Sequence, residues 1–193
     1  YMNDKDYINE VINGDIHTSN QIAAGLESRD EAKTFIYAFI YGAGNRKIGS
    51  IIGGSERDGE RIKEKFLRAT PSLRRLREKV ERVAQRRWVR GLDQRKIIIR
   101  HPHAALNTLL QGAGACVMKK ALTLLEEYVI TKRIRAFPVV NVHDEFQYEV
   151  QSDRADEFGR LAVQSIRDAG DLLNVRCPLN GEYKIGNNWS ETH

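Results

Sequence analysis

Arg29, Lys33, Tyr37 and Tyr41 recur at intervals of four residues. In a helix each turns about 400° from the one before, so all four fall on one slowly drifting stripe. Two cations near a helix start followed by two aromatic rings suit a nucleotide. The cations and the positive end of the helix dipole attract phosphates, and the rings stack on sugar or base. The same pattern fits a surface helix with snorkelling basic side chains and half-buried tyrosines. A second group, His143-Asp144-Glu145, places two carboxylates at a tight turn, where a strand holds them rigidly and solvent reaches them. A hard cation such as Mg²⁺ requires that arrangement, although many turns are acidic without binding anything.

Asn107 and Gln111 form a third group, four residues apart and close to Gly112 and Gly114. Interior helix glycines cost roughly 1 kcal/mol each relative to Ala, an expense that suggests close approach by another body. That body is either a duplex, whose minor groove offers acceptors to Asn and Gln amides, or a neighbouring helix. His17, His101, His103, Cys116 and Cys177 show no metal-ligand spacing, which argues against a zinc site. GxSxG, Walker A and GxGxxG motifs are absent.

The elements that must carry these groups can be read from periodicity and caps. Ser28-Arg29-Asp30-Glu31 has the form of a capping box and predicts a helix start, with Gly42-Ala43-Gly44 as its stop. Thr70-Pro71 predicts a second helix, with Leu73, Leu76, Val80 and Val83 on its apolar side and Arg74, Arg75, Arg77, Lys79 and Arg82 opposite. A long helix is expected from about His103 to Ile130, and another from about Asp153 to Asp168. Between them, Phe137 to Val142 and Phe146 to Val150 are β-type runs that predict a hairpin with the acids at its tip. A last short strand is expected around Asn180-Gly181 and Tyr183 to Ile185. The order predicts an α+β fold, with a helical subdomain first.

With 41% hydrophobic and 30% charged residues, and a mean hydropathy of −0.51, the composition is that of a globular chain. The longest apolar stretch, around Phe35 to Ala43, is far too short for a bilayer span, and the N-terminus lacks the pattern of a signal peptide. Two cysteines make no disulfide framework and suit a reducing cytoplasm. The formal net charge of +5 is unevenly spread: Arg57 to Arg100 holds 16 basic and six acidic residues, a local +10, so the remainder nets about −5. One face is therefore suited to a polyanion such as nucleic acid, unless these arginines are only a solvated surface.

Together these stretches resemble one family. Arg29-x3-Lys33-x3-Tyr37-x3-Tyr41-Gly42 resembles motif B, the fingers helix of the family A (pol I-type) DNA polymerases. Val142-His143-Asp144-Glu145 resembles their palm motif C, and Leu106 to Gln111 their palm helix that touches the primer-template minor groove. Gly14-Asp15-Ile16-His17-Thr18 and Arg100-His101-Pro102-His103-Ala104-Ala105 are similar to replicative polymerases of short-tailed bacteriophages. The resemblance runs in order over essentially the whole chain, to His193.

The resemblance implies a fingers subdomain at residues 1–104 and the C-terminal part of a palm at 105–193: long helix, β-hairpin, helix, short strand. It implies a DNA-directed DNA polymerase that adds dNTPs to a primer 3′-OH by two-metal phosphoryl transfer with two Mg²⁺ ions. Arg29 and Lys33 would clamp the incoming triphosphate with His17 beside them, Tyr37 would pack under the deoxyribose, and Tyr41 near the templating base. Asp144 would be the metal carboxylate, with His143 and Glu145 supporting the primer terminus and metal site, and His103, Asn107 and Gln111 on the nascent duplex. Nothing between Tyr1 and Asp15 resembles the family's motif A, which supplies its other metal aspartate. The expectation is therefore a chain inactive alone and completed by an N-terminal polypeptide carrying motif A, a thumb and possibly an exonuclease, in a host cytoplasm if the source is a phage. The alternatives are a catalytically inactive, basic DNA-binding module derived from a polymerase, and an HD phosphohydrolase. The latter is disfavoured because His143-Asp144 joins strands rather than lying on a helix.

Overall fold

The computed structural model describes residues Tyr1 to Thr192; His193, where the expected palm segment ends, lies outside the described residues. The chain divides into two compact units, 1–91 with 96–110, and 92–95 with 111 onward.

The first unit holds α1 (Lys5–Asn13), α2 (Ile16–Ala24), α3 (Arg29–Ile40), α4 (Asn45–Ile51), α5 (Glu56–Ala69) and α6 (Pro71–Ala84). The helix starts follow their caps. Asp4, Asp15, Ser28 and Ser55 each accept from a first-turn amide, and Ser28/Glu31 and Ser55/Asp58 close reciprocal capping boxes. Pro71 opens α6 at a position where its missing N–H costs nothing. The main core joins Phe35, Ile36 and Phe39 of α3 to Ile48 of α4, Ile62 and Phe66 of α5 and Leu73 of α6. Burying one such side chain is worth about 2 to 3 kcal/mol, so this apolar face sets how α3 sits. A smaller core joins Val80 and Ala84 of α6 to Val89, Ile99, Ala105, Leu106 and Leu109.

Val89 belongs to a hairpin that periodicity had not revealed, β1 (Trp88–Arg90) and β2 (Lys96–Ile98), antiparallel with Trp88 opposite Ile98 and Arg90 opposite Lys96. Its strands are three residues long, too short for alternation to register.

A 28-residue helix, α7 (Ala105–Lys132), preceded by a single 3₁₀ turn, runs through both units. In the second unit β3 (Ala136–Val142) and β4 (Glu145–Val150) form the expected antiparallel hairpin, followed by α8 (Ala155–Leu172) and the short α9 (Trp189–Thr192). Phe146, Tyr148 and Val150 of β4 pack on Leu125 and Val129 of α7, Ile134 and Phe158 of α8. Phe137 and Val139 of β3 remain exposed, and Pro138, which has no N–H to give a ladder, lies beside a break in the register.

The strand expected around Asn180-Gly181 and Tyr183 to Ile185 is not formed. Among the described residues this unit's sheet is β3 and β4 alone, so the segment has no strand to pair with. It follows α8 instead. The Tyr183 ring sits where a Cβ on Gly159 would lie only 2.2 Å away, Leu179 covers Gly170, and Arg167 donates through Nε and Nη2 to Asn180 Oδ1.

Tyr128 of α7 donates its hydroxyl to Asp168 of α8, and that bond, followed by burial, pushes the phenol up to about 12. A phenol raised in the folded state stabilises below its unfolded pKa, near 10, and loses that contribution as pH climbs through its folded value. Tyr128→Phe should therefore cost about 1 kcal/mol in urea unfolding at pH 7 and leave the mutant less sensitive than the wild type between pH 10 and 12. Equal alkaline sensitivity in the two proteins would show that this bond does not tie α7 to α8.

Candidate active site

The two faces of α3 have opposite characters. Ala32, Phe35, Ile36 and Phe39 are buried, and Arg29, Lys33, Tyr37 and Tyr41 are exposed, Tyr37 and Tyr41 by more than half. The Phe35, Phe39 and Phe66 rings form a triangle with centroids 5.1 to 5.8 Å apart, two of the three contacts edge-on, which fixes the rotation of the helix. The exposed stripe follows from that rotation. The first turn of α3 carries Asp30 and Glu31, and its capping box satisfies the Glu31 amide. Attraction for an anion thus rests on the Arg29 and Lys33 side chains, and the helix end itself contributes less than its dipole suggested.

Arg29 reaches across to α2. Its Nε donates to Asp15 Oδ2 at 2.8 Å and its Nη2 to Oδ1 at 3.2 Å, while Asp15 Oδ1 also caps the His17 and Thr18 amides. The guanidinium first, then the Thr18 hydroxyl, hold the Asp15 carboxyl far below the usual carboxylate range. The structure thus brings His17 and Arg29 to one carboxylate. The His17 Nδ1 is buried with no hydrogen-bond partner among the described residues.

At the other end of α3, Gly42 has φ +79°, and a Cβ there would lie 2.4 Å from the His103 carbonyl oxygen. This glycine lets the 3₁₀ turn containing His103 abut the end of the tyrosine stripe. Lys63 of α5 donates to the Ala43 carbonyl and to Asn45 Oδ1 of the same loop, and burial pushes its ammonium down. Beyond exposed His103, Asn107 is half-buried with its Oδ1 unpartnered among the described residues, and Gln111 is exposed four residues further along α7. Among the described residues nothing lies within 4 Å of a Cβ placed on Gly114, so no helix packed there accounts for that glycine.

In the second unit Val142 pairs with Glu145, leaving His143 and Asp144 as a two-residue turn and Glu145 as the first residue of β4. His143 has φ +53° at the first central position, where glycine is ordinarily preferred, so this turn stores backbone strain. Asp144 is exposed; half-buried Glu145 accepts from Gln147 Nε2. Both acids line a cavity of about 1100 Å³ whose wall includes the rest of β4, the irregular residues 182–188 and Trp189. Among the described residues no group of three or more His, Cys, Asp and Glu side chains is placed to share a metal ion. Two carboxylates nevertheless suit Mg²⁺, which takes one or two from a protein and fills its octahedron with water and substrate phosphate oxygens.

Sequence reasoning missed Asp15, although an Asp directly before an apolar helical pattern is itself a cap signal. It also missed the outer face of the β1–β2 hairpin. There Lys96 Nζ lies 4.9 Å and the Arg90 guanidinium carbon 5.9 Å from the Trp88 ring centre, and Ile98 is 70% exposed. On α5 and α6, by contrast, Arg61, Arg68, Arg74 and Arg77 pair with acids one turn away, which spends part of the basic run within the helices.

The family model for DNA polymerase family A matches residues 3–191. The DNA-directed DNA polymerase of Escherichia phage T7 is 42% identical, and that of Enterobacteria phage T3 is 41% identical, each over 97% of this chain. The chain spans 30% of the length of each of these curated relatives. A solved structure of the POL domain of Pol1 from M. smegmatis, in complex with DNA primer-template and dNTP, superposes with a TM-score of 0.77. It covers 87% of this chain and 34% of that one at 19% identity, a likeness of fold. The chain belongs to DNA polymerase family A. Among its described residues no helix is long and apolar enough to cross a membrane.

Gly42→Ala should destabilise the first unit by about 2 to 4 kcal/mol, since it meets a left-handed backbone and a carbonyl together. Urea unfolding followed by circular dichroism measures this, and a loss below about 0.5 kcal/mol would mean that α3 and the His103 turn do not abut.

Proposed function

We propose that this chain supplies the nucleotide-gripping and metal-binding parts of a template-directed DNA polymerase, residues 1–104 acting as fingers and 105–193 as the C-terminal part of the palm. The observation that carries the reading is the exposed Arg29, Lys33, Tyr37, Tyr41 stripe on a helix whose rotation is locked by three phenylalanines. Arg29 and Lys33 bind the triphosphate of an incoming dNTP and offset the charge that builds on the leaving pyrophosphate as the primer 3′-oxygen bonds to the α-phosphorus. Tyr37 lies under the deoxyribose, Tyr41 beside the templating base, and His17 beside the phosphates. His103, Asn107 and Gln111, spaced along one line of α7 and its leading turn, donate to the minor groove of the nascent duplex, while His143 supports the primer terminus. Asp144 and Glu145 are the residues that would hold Mg²⁺, which when bound neutralises phosphate charge and activates the primer hydroxyl.

The remaining metal carboxylate comes in this reading from a motif A strand outside these 193 residues, in a complementary polypeptide that also carries the thumb and possibly an exonuclease. The cavity beside Asp144 and Glu145 supports this, because β4 and residues 182–188 line it and, among the described residues, the sheet there has only the two strands β3 and β4. The isolated chain then binds primer-template DNA weakly and extends no primer.

The test is primer extension by the chain together with a motif A-bearing polypeptide. Asp144→Ala should lower kcat at least roughly a hundredfold with DNA affinity nearly unchanged, whereas Lys33→Ala should weaken dNTP binding and rate together. If DNA is bound but extension never appears with the complement present, the chain is the inactive DNA-binding module instead. Near-normal turnover in Asp144→Ala would reduce the acidic turn to a plain hairpin.

Tyr37 generates a sharper expectation. A dideoxynucleotide lacks the 3′-hydroxyl that satisfies polar groups in the closed site, and a phenolic oxygen can stand in for it where a benzene ring cannot. The reconstituted enzyme should accept dideoxynucleotides nearly as well as dNTPs, and Tyr37→Phe should shift the kcat/KM ratio against them by on the order of ten- to a hundredfold. An unchanged ratio would place Tyr37 away from the sugar.

A further inference from the structure

Six of the ion pairs between described side chains are local, within four residues along the chain. Asp15–Arg29 instead links two elements, the start of α2 and the start of α3. Its carboxylate is crowded with donors. Oδ1 accepts from the His17 amide at 3.1 Å, the Thr18 amide at 3.4 Å and Arg29 Nη2 at 3.2 Å, and Oδ2 from the Thr18 hydroxyl and Arg29 Nε, each at 2.8 Å. A carboxylate so engaged is an anchor rather than a loose counter-ion. A guanidinium has five N–H donors in a rigid fork, and the side-on pair uses the Nε edge. The Nη1–Nη2 edge is left, and that edge matches two oxygens of a phosphate.

We propose that Asp15 is a positioning residue of the triphosphate site. It grips Arg29 by one edge so that the other is ready for phosphate, and it holds the first turn of α2, with His17, in register with the same guanidinium. The proposal rests on the reading of Arg29 as a triphosphate ligand. Two effects of Asp15 oppose each other. Its negative charge weakens attraction for an anion, but both partners are about half exposed, so solvent and salt screen that effect. Fixing a long, rotamer-rich side chain before the ligand arrives removes an ordering cost that screening does not touch. The positioning effect therefore dominates at physiological ionic strength.

The experiment is calorimetric titration of the 193-residue chain with inorganic tripolyphosphate, for the wild type, Asp15→Asn, Arg29→Ala and the double variant, each checked by circular dichroism. Asparagine caps a helix as well as aspartate does, but it turns an amide N–H toward Arg29 and breaks the fork. Asp15→Asn should weaken tripolyphosphate binding roughly fivefold when Arg29 is present and produce no further loss when Arg29 is alanine. Unchanged or tighter binding by Asp15→Asn would overturn the proposal. An equal loss in both backgrounds would also overturn it, because the carboxylate would then act only through the cap. Should Asp15→Asn lose helical signal, Asp15→Ser, which caps but is too short to reach Arg29, is judged by the same criteria. Wild-type protein that binds no tripolyphosphate, or Arg29→Ala that binds as well as wild type, would overturn the reading of Arg29 itself; an Asp15→Asn failure alone leaves that reading standing.

Discussion

Phe66 of α5 meets Phe35 and Phe39 of α3 edge-on, and those two contacts decide what the first unit can offer to a ligand. A helix with two rings locked into a core cannot rotate without opening a cavity, and truncating one such ring costs about 3 to 5 kcal/mol. The opposite side is consequently fixed as well, and that side carries Arg29, Lys33, Tyr37 and Tyr41. Neighbouring features secure the same helix at both ends. Asp15 grips Arg29 at the start, and Gly42, Lys63 and the His103 turn close the end. A cationic and aromatic face is useful to a nucleotide only if it is held still, because each side chain that must be ordered on binding subtracts from affinity.

The second unit applies the same logic to carboxylates. A two-residue turn at the tip of β3–β4 presents Asp144 to solvent, and the strands behind it are pinned to α7 and α8 through Phe146, Tyr148 and Phe158. The left-handed His143 is sustained by that support, since strain of order 1 to 3 kcal/mol persists only where the surroundings over-determine it. In the proposed reading, a metal that must meet a triphosphate favours ligands with little freedom, and these come from the helix α3 and from a two-residue turn held by packed strands rather than from long loops.

Strong local signals in the sequence predicted their elements well. The Ser28 capping box, Pro71 and the alternation of Phe146, Tyr148 and Val150 each act through a few adjacent residues, and the helices and hairpin they predict are present. The α1, α2, α4 and α5 helices went unread because their apolar residues are sparse or their spans short, although Asp4, Asp15 and Ser55 were available as caps. The segment 183–185 shows the converse error. Its residues suit a strand, but a strand exists only with a partner, and packing along α8 took its place. In the site, residue spacing made the stripe and the acidic turn legible. The Asp15–Arg29 pair was not, because it joins residues 14 apart whose proximity depends on how α2 packs against α3.

In the proposed reading a nucleotide triphosphate binds the exposed face of α3, which the phenylalanine triangle holds in place. Two-dimensional amide NMR of the ¹⁵N-labelled chain titrated with a dNTP tests it directly. Shifts should concentrate at Arg29, Lys33, Tyr37 and Tyr41 and in the first turn of α2 around His17, with the buried Phe35 and Phe66 amides moving least. Shifts gathered elsewhere, for example on the Trp88–Ile98 hairpin, with α3 unmoved would contradict it.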